Sequence, residues 1–301
     1  MTVALAVAVR TLPRAPGLAY EPKFDGHRLV IVRTDRAVGG VVLQARSGRI
    51  VTAAFPDLAA AAHHLPAGTV LDGEVVVWHE GRTDFALVQR RAAAASAARA
   101  AVLAQTLPAS YAAFDVLELA GLDLRARPYE RRRTLLVDLL LPLGPPLQPV
   151  PMTTDPELAE TWYETLPASG IEGLVVKRMD QPYPAGRRGW QKLRHTNVRD
   201  AAVVGYTGTA RRPLALVLVL PVGDETPLVS SPLTAPLRAE VAAAVAARAP
   251  TAAGSEGGAT ITAIGLGEVP FHPLDPPLTA EVRHTSTRHP PPEVLRLRTD
   301  P

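Results

Sequence analysis

Residues 21–28 read Glu21-Pro22-Lys23-Phe24-Asp25-Gly26-His27-Arg28, and the lysine at their centre is one of three in the chain. The others stand at 177 and 192, although lysine and arginine together number 32 in 301 residues. The two cations are not interchangeable. A guanidinium stays protonated, whereas an amine that is desolvated or set beside other cations can become a nucleophile. A composition that writes arginine almost everywhere else keeps lysine where an amine is chemically needed.

Working outward, the β-branched runs at 29–33 and 41–46 predict a hairpin turning at 37–40, so Lys23 is expected just before a strand. A short helix is predicted over 56–65, with Pro56 at its first turn, and a strand over 69–78 interrupted by Asp72-Gly73-Glu74. Residues 84–103 read as one helix with an alanine-rich end. A strand follows at 111–119, a helix at 129–141, a proline-rich connector at 142–151, a helix at 157–166 and a buried strand at 171–178. The loop at 182–189 carries Arg187 and Arg188. Beyond Asp200 the texture changes to short β runs around one helix at 235–248, with strands expected at 201–206, 214–222, 259–264, 278–284 and 294–298. Short strands at that spacing suit a small barrel of OB type, so two domains are expected, residues 1–198 and 199–301.

Composition narrows the chemistry. The absence of cysteine excludes disulfides, thiolate zinc sites and a cysteine nucleophile, so any metal must be held by carboxylate, histidine or phosphate. No apolar run approaches the roughly 20 residues of a membrane helix, and the opening Met1 to Arg10 lacks the positive start of a signal peptide, so a cytoplasmic protein is expected. A net charge of +3 points only weakly to nucleic acid. His63 and His64 lack ligand spacing, and the pair His284 and His289 sits in a loop-like stretch.

Lys23-x-Asp25-Gly26-x-Arg28 resembles motif I of the covalent nucleotidyltransferases, the superfamily of DNA ligases, RNA ligases and mRNA capping enzymes. Further patterns follow in the family's order: Arg46-Ser47-Gly48 like motif Ia, Asp72-Gly73-Glu74 like motif III, Phe114-Asp115 like motif IIIa, the run from Glu172 to Lys177 like motif IV, and Trp190-Gln191-Lys192-Leu193-Arg194 like motif V. The resemblance is close over about residues 18–200 and strongest to the compact, stand-alone bacterial ATP-dependent DNA ligases, similar to the ligase C type and the ligase domain of ligase D. It implies an α+β fold: a nucleotidyltransferase domain of ATP-grasp-like antiparallel sheets with flanking helices, then the OB-type barrel.

The resemblance also implies roles. Lys23 would attack the α-phosphorus of ATP and hold AMP as a phosphoramidate. Arg28, Lys177, Lys192 and Arg194 would surround the nucleotide with positive charge, as phosphoryl transfer requires. Glu74 would accept from the ribose hydroxyls; a strand-edge salt bridge is the plain alternative. Phe114 would stack on adenine or else belong to the core, and the backbone near Glu21 would read the adenine amino edge. Glu172 would hold Mg²⁺ or Mn²⁺, and Arg46, Ser47 and Gly48 would meet a DNA phosphate unless they form an ordinary hairpin tip. Arg211 and Arg212 could line a DNA groove or lie in a solvated loop. Arg298, in 296–301, matches the arginine-x-acid core of motif VI, which orients the pyrophosphate, although the chain stops where a lysine often follows. Motif V carries Arg194 where a second lysine is common. Together these imply a monomeric ATP-dependent ligase that seals nicked duplex DNA, serving repair and associating with repair proteins. RNA ligation, guanylyl transfer and a weakly active nick-binding subunit remain as alternatives.

Overall fold

The computed structural model describes residues 1–34, 40–220, 227–247, 259–263, 267–285 and 291–298. Residues 37–39 of the expected turn, His289, and the end of the arginine-x-acid stretch at 299–301 lie outside them. The chain divides into two compact units, Met1–His195 and Thr196–Pro301.

In chain order the first unit contains strands β1 (Leu5–Val9), β2 (Leu18–Phe24), β3 (His27–Arg33) and β4 (Val41–Ala45), helix α1 (Pro56–Ala62), strands β5 (Thr69–His79) and β6 (Arg82–Thr83), and helices α2 (Phe85–Ala92) and α3 (Ala97–Thr106). Strands β7 (Ala109–Leu119) and β8 (Leu122–Asp123), helix α4 (Tyr129–Leu140), strand β9 (Leu147–Pro149), helix α5 (Pro156–Thr165) and strands β10 (Ile171–Arg178) and β11 (Arg188–Arg194) complete it. Two sheets result, a four-stranded one in the order β1-β11-β10-β2 and a seven-stranded one in the order β4-β3-β5-β7-β8, with β6 on β5 and β9 on β7. Because β1 runs parallel to β11 and β9 parallel to β7, both sheets are mixed, which corrects the expectation of antiparallel sheets.

Side chains alternate across a strand, and the alternation sets the layers. Leu29, Ile31, Leu43, Leu71, Val75, Val77, Tyr111 and Ala113 face one way and pack with Phe55, Leu58, Leu136 and Leu140 from the helical side. Their neighbours Val30, Val70 and Leu117 face the other way, meeting Val3, Ala4, Tyr183 and Trp190 between the two sheets. On the far side of the smaller sheet, Tyr20, Leu174 and Val176 are covered by Ala159, Trp162 and Tyr163 of α5.

Four local expectations are revised. Lys23 does precede β3, but it also lies within a strand of its own, β2, which the hairpin reading did not include. Asp72-Gly73-Glu74 does not interrupt β5; the strand continues with a register shift against β7 between Asp72 and Gly73. The helix expected over 84–103 is two helices, since Asp84 caps α2 by accepting from Ala86 and Leu87 N–H groups and Ser96 starts α3 by accepting from Arg99 N–H. The connector at 142–151 contains β9.

The second unit contains β12 (Thr196–Thr209), β13 (Arg212–Val219), β14 (Leu228–Val229), α6 (Ala235–Ala246), β15 (Ala259–Ala263), β16 (Gly267–Thr285) and β17 (Glu293–Arg298). They form one sheet in the order β14-β13-β12-β16-β15, with β17 on β16. Its core joins Ala201, Val203, Leu216, Leu218, Val282 and Leu297 to Leu237 and Val241 of α6. β16 is far longer than the strand expected at 278–284. Its first residues pair with β15 and its later ones with β12 and β17, so different partners carry it past Pro270, Pro273, Pro276 and Pro277.

Candidate active site

The strand parity that fills the core also fills a cleft. Across the smaller sheet, Glu21 and Lys23 on β2, Val175 and Lys177 on β10, and Trp190, Lys192 and Arg194 on β11 have the parity opposite to Tyr20, Leu174, Val176 and Leu193. Across the larger sheet, Arg28 on β3 is the register partner of Glu74 on β5. These residues, together with Phe114, Glu172 and Asp25, line a cavity of about 610 Å³. All of its lining belongs to the first unit.

Lys23 sits at a row of register partners that runs Arg194, Gly173, Lys23 across three strands. Glycine is required in the middle. Gly173 has a φ of +146°, and a Cβ there would stand 2.0 Å from the Leu193 carbonyl oxygen. The register shift between Ile171 and Gly173 brings the Glu172 carboxylate between the two cations. Lys23 Nζ donates to Glu172 Oε1 at 2.8 Å, and Arg194 Nε stands 3.0 Å from Oε2 as a charge contact. Lys192 lies on the same face, with its pKa lowered by burial and by Arg194 and Lys23.

Three carboxylates share this end of the cleft. Burial, and then Glu172, raise Asp25 to about 6. Glu74 is raised to about 7, by burial and by Glu172 and Asp25, with Lys23 and Arg28 opposing. A partly buried cluster of carboxyls whose members disfavour one another's charge fits a divalent cation. Yet no group of three or more His, Asp or Glu side chains is placed to hold a metal by itself among the described residues. The donor set therefore suits a cation bound jointly by Glu172 and by oxygens from a bound phosphate.

The other end of the cleft departs from what the sequence suggested. Lys177 is fully buried, donates to the Phe114 carbonyl at 2.7 Å, pairs with Glu21 Oε2 at 2.7 Å, and is boxed by the rings of Phe114, Tyr129 and Trp190. Burial lowers its pKa. An amine held in this way neutralises Glu21, although it still lines the cleft. Glu21 in turn accepts from Tyr129 OH. Beneath them Asp115 takes both oxygens' bonds from Arg132, which is itself fully buried. Phe114 is half-buried on the cleft wall and meets Trp190 edge to face, 5.7 Å between centroids.

Arg28 also differs from a free phosphate cation, since its fork grips Asp72 through Nε at 2.9 Å and Nη2 at 2.6 Å. Burial opposes its charge, but Asp72 outweighs burial and its pKa is raised. Arg46, Ser47 and Gly48 form the tight turn after β4, closed by Gly48 N–H to the Ala45 carbonyl, and Arg46 and Ser47 line the cavity mouth with Arg188. Arg298 belongs to the second unit, where it pairs with Asp200 and Glu281. Arg211 lies in the turn before β13 and Arg212 is its first residue, both exposed. His64 bonds the Ala61 carbonyl at the end of α1.

Tyr129, Arg132 and Tyr183 were not read as site residues from the sequence. Their partners are 108, 17 and 111 positions away, in Glu21, Asp115 and Asp72, and no local pattern announces such pairings. Trp190 could have been found, because it shares strand parity with Lys192 and Arg194.

The sequence profile of the ATP dependent DNA ligase domain matches residues 4–194. The chain is 37% identical over 203 residues to DNA ligase C2 of Mycolicibacterium smegmatis and 34% identical over 207 residues to DNA ligase C of Mycobacterium tuberculosis. Each alignment covers 67% of this chain and 56% of the relative, so the chain spans little more than half the length of either. Among solved structures, the ligase domain of M. tuberculosis LigD is similar, with a TM-score of 0.55 and 25% identity over 100% of this chain and 95% of that one. A Lig E DNA ligase, described as binding DNA with a minimal scaffold, has a TM-score of 0.62 at 17% identity, covering 99% of this chain and 100% of that one. The cleft between two mixed sheets, with a lysine at its mouth, is therefore set in a recognised frame, and the chain belongs to the ATP dependent DNA ligase domain family.

Proposed function

We propose that the protein is an ATP-dependent DNA ligase that seals nicks in duplex DNA, with residues 1–198 as the adenylation domain and 199–301 as an OB-type domain. The observation that carries this reading is the placement of Lys23 Nζ against Glu172, in register with Arg194, at the mouth of a cavity in a chain of this family. In the first step the Lys23 amine attacks the α-phosphorus of ATP. A P–N bond forms, the bond to pyrophosphate breaks and the amine loses its proton. In the second a 5′-phosphate oxygen at the nick takes AMP from Lys23 as the P–N bond breaks. In the third the 3′-hydroxyl attacks that 5′-phosphate, closing the strand and expelling AMP.

The residues divide the work by position. Phe114 and Val175 flank the base, with Glu21 and Lys177 at its far edge, and Glu74 accepts from the ribose. Arg28, Lys192 and Arg194 offset phosphate charge, a requirement of transfer that is largely positioning and electrostatics. Arg298 orients the pyrophosphate. Arg46 and Ser47, with the backbone turn at Gly48, suit a DNA phosphate. Glu172 would hold Mg²⁺ or Mn²⁺, which when bound supplies Lewis-acid stabilisation of charge on the phosphates. A role in repair, with repair proteins as partners and the chain acting as a monomer, completes the proposal.

Incubation with α-labelled ATP and Mg²⁺ or Mn²⁺ should label the wild-type protein and leave Lys23→Ala unlabelled, and nicked duplex should be sealed only by the former. Label in both, or in neither, would falsify the assignment. GTP offered in place of ATP, and RNA on either side of the nick, separate capping-type transfer and RNA ligation from DNA sealing.

A further inference from the structure

Arg28 is held by a closed ring of hydrogen bonds, and one half of the ring comes from Ala4, the residue that leads into the opening strand. Its fork grips Asp72, and its Nη1 donates to the Ala4 carbonyl at 2.5 Å. The Ala4 N–H donates to Tyr183 OH at 2.9 Å, and Tyr183 OH donates to Asp72 Oδ2 at 2.5 Å. Both backbone groups of Ala4 are thus used, one on each side, and Ala4 and Asp72 are wholly buried. Burial and the Asp72 carboxylate raise the Tyr183 pKa, so the phenol stays a donor. A ring of this kind, closed and out of water, fixes orientation in a way that a lone ion pair does not.

The segment around Tyr183 also holds the strand that Ala4 leads into. Leu5 N–H donates to the Arg187 carbonyl at 2.9 Å and Gly186 N–H to the Val3 carbonyl at 3.1 Å. From there β1 runs along β11, with Ala8 opposite Lys192. The segment that fixes Arg28 is thus continuous with the strand that pairs with the one bearing Lys192 and Arg194. Arg28 is also wedged beside Phe114 and Trp190, 5.2 and 5.4 Å from their ring centroids, so its placement defines the space between base wall and phosphate end.

We infer that Tyr183, through Asp72 and the Ala4 backbone ahead of the opening strand, is a positioning residue for Arg28 in the nucleotide cleft. The inference rests on the ligase reading, in which Arg28 acts on ATP. Tyr183 does not touch the substrate; it acts by keeping the guanidinium in one orientation.

The test is a double-mutant cycle on lysyl-AMP formation at limiting α-labelled ATP, using Tyr183→Phe, Arg28→Lys and both. Tyr183→Phe keeps the ring that packs 5.8 Å from Trp190 and deletes only the hydroxyl. It should slow labelling about 10-fold with arginine at 28, the scale of one hydrogen bond to a charged group. With lysine at 28, which cannot form the fork, the same change should cost less than about twofold. Equal fold-losses in the two backgrounds overturn the inference, because a merely structural hydroxyl would be felt in both. If Tyr183→Phe loses cooperative melting, Tyr183→Leu, which also deletes the hydroxyl, takes its place in the cycle, with the same outcomes read the same way. No label from wild type removes the ligase reading and this inference with it, whereas a labelling wild type with equal losses removes this inference alone.

Discussion

Lys23 and Lys177 show how burial turns one residue type to two uses. Lys177 lies at the closed end of the cleft, enclosed by three rings and paired with Glu21, and burial lowers its pKa. Lys23 is at the open end, beside a carboxylate that a cation could occupy in its place. The scarcity of lysine drew attention to both positions, and both line the cleft, yet burial is a property of the folded chain and the sequence could not separate their surroundings. The carboxyls nearby carry a pH signature. In the folded chain Asp25 is raised to about 6 and Glu74 to about 7, so it keeps protons that the unfolded chain releases near pH 4. Their contribution to stability is whole below about pH 4 and is lost as pH rises through 6 and 7. Glu74→Gln should therefore stabilise the nucleotide-free protein by roughly 1–2 kcal/mol at pH 8 and change it little at pH 4.5. Urea denaturation at the two pH values checks this, and an equal shift at both would sink it. The same variant should lower the affinity for ATP, since an amide accepts from the ribose more weakly than a carboxylate.

At the level of strands and helices, alternation was the legible part. Once Lys23 is given to a strand, Glu21 must share its face, and Trp190, Lys192 and Arg194 must share another. What alternation cannot show is where it breaks. Glu172 reaches Lys23 only because β10 shifts register at Gly173, a local irregularity that no periodicity encodes. The junction between α2 and α3 was hidden for a different reason. Alanine favours helix on both sides of Ser96, and the stop is set by a serine cap whose signal is weak inside an alanine run. β16 was hidden by its prolines, which usually end strands but are accommodated here where the strand changes partners. Gly173 gives the sharpest test at this level. Gly173→Ala would put a methyl against the Leu193 carbonyl at a φ that L residues rarely adopt, and should cost about 2–4 kcal/mol in stability. Because the strain falls between Lys23 and Arg194, labelling by ATP should fall at least 100-fold even at temperatures where the variant is folded. Normal labelling by a destabilised variant would show that the row across β11, β10 and β2 does not matter to transfer.

For the molecule as a whole, the division into two units separates what the cleft can do from what it needs. Each unit has a core of its own, and every residue lining the cavity lies before Thr196. A fragment of residues 1–195 should therefore fold and bind ATP within about threefold of the full chain, a difference of less than 1 kcal/mol. Transfer is another matter if Arg298 orients the pyrophosphate. In the second unit its partners are Asp200 and Glu281, and Arg298 and Asp200 are 35% and 53% exposed. The exposed pair with Asp200 contributes about 0–1 kcal/mol, while Glu281 is 17% exposed and holds Arg298 more closely. Arg298→Ala and the 1–195 fragment should then share a phenotype: near-normal ATP binding with lysyl-AMP formation slowed at least 10-fold, while a nick already carrying 5′-AMP is still sealed by Arg298→Ala. Labelling of the fragment at the full-length rate would remove the second unit from the first step, and would confine its contribution to the DNA.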